Sequence, residues 1–89
     1  MNSYVVLLKL TMPESSYTNL ETYLKTADSW AKPMSNVWII KTSVDASTLR
    51  DGVKSRIYNI DQTIILSLDK YWATSNVSRE ITDWMKITL

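Results

Sequence analysis

Two stretches of this chain are apolar at consecutive positions: Tyr4-Val5-Val6-Leu7-Leu8 and Val37-Trp38-Ile39-Ile40. Neighbouring residues of a strand point to opposite faces, so strands written this way need cover on both sides. One covering layer comes from helices that lie between the strands in sequence. The other has to be a terminal segment or a second copy of the chain. Self-association is therefore the first functional expectation.

Residues 3 to 10 are too few and too rich in valine and leucine for a helix, and they predict a strand. Thr11-Met12-Pro13-Glu14 breaks it, because proline fixes its own φ and restricts the residue before it. Ser15 or Ser16 is then placed to cap a helix whose buried face is Tyr17, Leu20, Leu24 and Ala27. Trp30 suggests a short edge strand that tolerates Pro33. Ser35-Asn36 turns the chain into a strong strand, Val37 to Thr42. Asp45 is the expected N-cap of a second helix carrying Leu49, Val53 and Ile57. Gly52, the one glycine, falls inside that helix at a cost of roughly 1 kcal/mol relative to alanine, which fits either close approach of a neighbouring element or a plain tolerated defect. A turn at Asn59-Ile60-Asp61-Gln62 leads to a strand from Thr63 to Leu68. Ser75 to Ser78 supplies capping chemistry for a last helix with Ile81, Trp84, Met85 and Thr88 on one side. The order predicts an α+β, ferredoxin-like βαββαβ domain over residues 1–89, its first and third strands central, followed by a C-terminal helix.

The residue inventory narrows the chemistry. With no cysteine there are no disulfides or thiolates, which fits a cytoplasmic address. With no histidine the chain lacks the commonest general base and the commonest metal ligand. A formal charge of +1 gives no global pull toward nucleic acid. No apolar run approaches the roughly 20 residues of a membrane helix, and the N-terminal residues lack a signal-peptide pattern. The nine acidic residues are scattered, with no pair spaced for acid–base work or for a metal. Asp45 reads as a cap, Asp51 and Glu80 as helix-surface charges, and Asp61 as a turn residue. No cofactor fingerprint is present, so catalytic, metal and cofactor sites are all expected to be absent.

Two constellations remain. Lys9 and Lys41 end the two central strands. If those strands run parallel, the lysines share an edge and a face, and two-fold pairing would gather them into a weak anion or nucleic-acid site, with Asp61 close enough to neutralise one. The plainer reading leaves each lysine reaching into solvent. The second is the set of four tryptophans. Trp38 fits the helix-facing core, while Trp30, Trp72 and Trp84 suit packing or subunit contact better than base stacking.

The segments Tyr4-Val5-Val6-Leu7-Leu8-Lys9-Leu10, Val37-Trp38-Ile39-Ile40-Lys41-Thr42, Leu49-Arg50-Asp51 and Asp83-Trp84-Met85-Lys86 resemble the small bacterial and phage proteins labelled SinR family, which are distinct from the helical sporulation repressor. That group is in turn similar to the ferredoxin-like CRISPR-associated adaptation subunit and to VapD ribonucleases. The resemblance implies fold much more than activity. The metal-dependent nucleases of this superfamily use an aspartate at the end of the first strand, and the corresponding residue here is Lys9. A lysine offers magnesium no oxygen ligand and repels it. The expectation is a non-catalytic homodimeric interaction protein with an open sheet face of Val5, Leu7, Ile39 and Ile65, which the terminal helix partly covers through Ile81, Trp84 and Met85, either in its own chain or swapped onto the partner. Alternatives are a nucleic-acid-directed ribonuclease and an inhibitor docking on a larger protein.

Overall fold

The first strand ends at Lys9, and beyond Pro13 the chain re-enters regular structure through a single 3-10 turn, Glu14–Tyr17. All 89 residues are described by a computed structural model. Its elements are β1 (Asn2–Lys9), α1 (Thr18–Leu24), β2 (Ser29–Met34), β3 (Val37–Thr42), α2 (Ala46–Lys54), β4 (Gln62–Ser67) and α3 (Arg79–Thr88). Neither Ser15 nor Ser16 caps a helix, because both lie inside the 3-10 turn, which has no side-chain cap. Asp45 caps α2 as expected, its Oδ1 accepting from the Thr48 amide at 2.8 Å. Ser78 does the same for α3, accepting from the Ile81 amide at 3.3 Å. Asn36 takes the left-handed conformation (φ 62°) that the tight β2–β3 turn requires. Its carbonyl accepts from the Leu8 amide, tying the turn to β1.

The strands form one antiparallel sheet in the order β2-β3-β1-β4. β1 is antiparallel to both neighbours, pairing Val5 with Ile39 on one side and with Leu66 on the other. The expected parallel arrangement of β1 and β3 is therefore corrected. A strand that feeds a helix and a hairpin returns beside its starting point running the other way.

Register divides the sheet into two faces. Tyr4, Val6, Trp38 and Ile40 point toward α1 and α2, where they meet Tyr17, Leu20, Leu24, Leu49 and Val53 in one buried cluster. Each fully buried large side chain in it, such as Trp38 or Leu24, contributes roughly 1.5–3 kcal/mol. Ile65 pairs with Val6 and packs against this cluster too.

α3 lies on the opposite face and covers only its β2–β3 half. Trp84 Nε1 donates to Ser29 Oγ at 3.0 Å, and Lys41 Nζ donates to the Thr88 carbonyl at 2.9 Å. Met85 of the helix and Ala31 and Ile39 of the strands are all buried. No helix is long and apolar enough to cross a membrane.

Candidate interaction surface

The half of the open face that α3 leaves bare is built by β1 and β4. Val5 and Leu7 alternate outward from β1, and the antiparallel register sets Leu66 and Ile64 directly beside them. Ile64 is 57% exposed and Leu66 50%, with Val5 and Leu7 half-buried between them and β3. The result is an apolar strip at the flank of the sheet, ending at Lys9 and Gln62, which form the last register pair.

Several residues expected on an intermolecular face are placed elsewhere. Ile39 and Met85 are each only 6% exposed, buried against one another's elements within the chain. Trp84 is held by Ser29, and Ile81 is half-buried on the same helix. α3 therefore docks on its own sheet. Ile65 belongs to the helix-facing side, and its neighbours Ile64 and Leu66 carry the open face instead. A shift of one residue in a strand exchanges its faces. The sequence offered no parity signal here, since the polar flanks Gln62 and Ser67 sit on opposite faces.

The two lysines do not converge within one chain. Lys41 pairs with Ser3, whereas Lys9 pairs with Gln62 at the far end of β1. Six residues of strand separate those positions, roughly 20 Å. The antiparallel register is the physical reason. Lys41 is also committed, since its ammonium meets the carbonyl end of α3, where the helix dipole favours a cation.

Asp61 ends the turn before β4, its amide donating to the Tyr58 carbonyl at 3.0 Å, and its side chain does more than a turn residue's need. It is 9% exposed and accepts from Thr11 N (2.9 Å), Thr11 Oγ1 (2.6 Å), Tyr17 Oη (2.7 Å) and Tyr58 N (2.9 Å). Burial pushes its carboxyl up, but the bonds from Thr11, Tyr58 and Tyr17 outweigh it and hold the group at about 2. The Tyr17 oxygen accepts in turn from the Thr11 and Met12 amides. The carboxylate thus bolts the loop after β1 to the loop before β4. With its lone-pair sites taken, it has none to offer a metal or a substrate proton.

Three of the tryptophans have partners within the chain. Trp38 is in the core, with Trp30 tilted against it at 5.5 Å and Lys25 over the Trp30 ring at 5.3 Å. A cleft of about 250 Å³ opens beside them, floored by Leu8, Leu10, Leu20 and Trp38. Glu21 and Lys32 pair across it at 3.8 Å. No group of three acidic side chains is placed to hold a metal ion. In comparisons with known proteins, no family model, no curated protein and no solved structure matches the chain.

Proposed function

We propose that the protein is a small, non-catalytic interaction module that works as a homodimer through its β1–β4 flank. The sheet order β2-β3-β1-β4, with α1 and α2 on one face, supports reading the fold as ferredoxin-like. That reading sits beside the resemblance to SinR-family proteins and to the CRISPR adaptation subunit. Lys9, standing where the related nucleases carry aspartate, supports the non-catalytic reading.

The observation that carries the proposal is the uncovered strip of Val5, Leu7, Ile64 and Leu66 on a sheet whose other half is sealed by α3. Monomers seldom leave contiguous apolar surface of this kind bare. A second copy suits it, because β4 carries no charge and the chain is nearly neutral, so two copies meet without repulsion. Sedimentation velocity across a micromolar concentration series tests the reading. A concentration-dependent dimer that Leu66→Asp returns to monomer is the expected result. A wild-type monomer at every concentration overturns it and leaves the strip to a different protein partner.

A further inference from the structure

The two edges of the sheet are unlike. β2, at one edge, carries Lys32 and Pro33, and its register shifts between Ala31 and Met34. A charge, a proline and a bulge are the devices that keep an exposed edge from pairing with another strand. β4, at the other edge, has none of them. Its residues Gln62-Thr63-Ile64-Ile65-Leu66-Ser67 contain no charge, proline or glycine and pair with β1 without a break.

The Leu68 amide donates to the Ser3 carbonyl at 2.8 Å, which makes Ser3–Leu68 a hydrogen-bonded pair. Antiparallel ladders alternate bonded and non-bonded pairs, so Gln62, Ile64 and Leu66 turn their backbone groups inward to β1. Thr63, Ile65 and Ser67 turn theirs outward, to an edge that nothing in the chain occupies.

We infer that β4 pairs antiparallel with β4 of a second copy, about a two-fold axis at Ile65, to make one continuous eight-stranded sheet. This rests on the homodimer proposed above and specifies how it forms. The register follows from the residues. Centred on Ile65, it opposes Ile65 to its own copy, Ile64 to Leu66 and Thr63 to Ser67. Apolar residues then meet apolar ones, hydroxyl meets hydroxyl, and all three outward-facing residues enter bonded pairs. The axis runs through the sheet, so the apolar strips of both copies join across it. On the helix side, the α2 residues nearest this edge include the small Ala46 and Ser47, beside Arg50, which is already paired with Asp51 at 2.9 Å.

Amide hydrogen exchange on the wild-type protein, read residue by residue at low and high concentration, tests the register directly. The Thr63, Ile65 and Ser67 amides should gain protection together as the dimer forms. Ser67→Pro removes one outward donor from each copy while leaving every bond to β1 in place. It should weaken the dimer about tenfold or more, whereas Ser67→Ala should not. Near-ultraviolet circular dichroism confirms that both variants keep the fold. A dimer that survives Ser67→Pro, with the Thr63, Ile65 and Ser67 amides of the wild-type dimer still exchanging freely, overturns edge pairing but leaves the homodimer standing. A monomer throughout overturns both.

Discussion

A Cβ at Gly52 would overlap the hydroxyl and ring of Tyr23. The Tyr23 ring lies across α2, with the Arg56 guanidinium 4.1 Å from its centroid and Arg56 Nη1 donating to the Gly52 carbonyl at 2.8 Å. Of the two readings of the lone glycine, close approach is the one the structure shows, and it predicts a reversal of sign. Gly52→Ala should destabilise the wild type, although alanine in a helix interior is worth about 1 kcal/mol over glycine. In a Tyr23→Ala background the same change should stabilise by about 1 kcal/mol, and urea denaturation of the four proteins closes the cycle. Asp61 gives a second prediction at this scale. Its carboxyl lies at about 2 in the fold, against an ordinary 3.8. The unfolded chain therefore takes up a proton first as pH drops, so the stabilisation is full above about pH 4 and is lost as pH falls toward 2. Asp61→Asn should flatten that part of the urea midpoint-against-pH curve. Asp45, lowered by its bond from the Thr48 amide, would leave a smaller residual slope. Tyr17→Phe, which removes the buried hydroxyl from the same clamp, should cost about 1.5–3 kcal/mol at neutral pH.

Among the elements, α3 is the one whose role could not be read from its own pattern. Ile81, Trp84 and Met85 make an amphipathic stripe, and a stripe docks equally well on its own sheet or on a partner's. The deciding contacts, Trp84 to Ser29 and Lys41 to the Thr88 carbonyl, join residues far apart in sequence. The caps at Asp45 and Ser78 were legible because each acts within three residues of itself. The strands were legible too, from runs of valine, leucine and isoleucine. What those runs could not carry was direction or parity, so the antiparallel register separated Lys9 from Lys41 and exchanged Ile65 for Ile64 and Leu66. Lys41 now predicts something about α3. Lys41→Ala should speed hydrogen exchange in the last turn of that helix and cost about 0.5–1 kcal/mol, an effect that shrinks with added salt. Unchanged exchange there would remove the capping role.

For the molecule as a whole, the absence of a shared lysine edge bears on nucleic acid. Fluorescence anisotropy with short single-stranded RNA at low salt should give the same binding curve for the wild type and a Lys9→Gln/Lys41→Gln protein. A marked loss in the double variant would restore an anion site built across copies. RNA incubated with the protein and magnesium or manganese should remain intact, and cleavage abolished by one acidic substitution would overturn the non-catalytic reading. Topology has one more consequence, which concerns time rather than affinity. β1 sits in the middle of the sheet, yet its partner β4 is some fifty residues further along the chain, and α3 comes later still. While the chain is being synthesised, β1, α1, β2, β3 and α2 emerge with one side of β1 unpaired and the face later sealed by α3 bare. Until β4 and α3 have left the exit tunnel, a nascent chain whose first five elements have folded therefore keeps an open edge on its central strand, an aggregation-prone state that their late arrival ends.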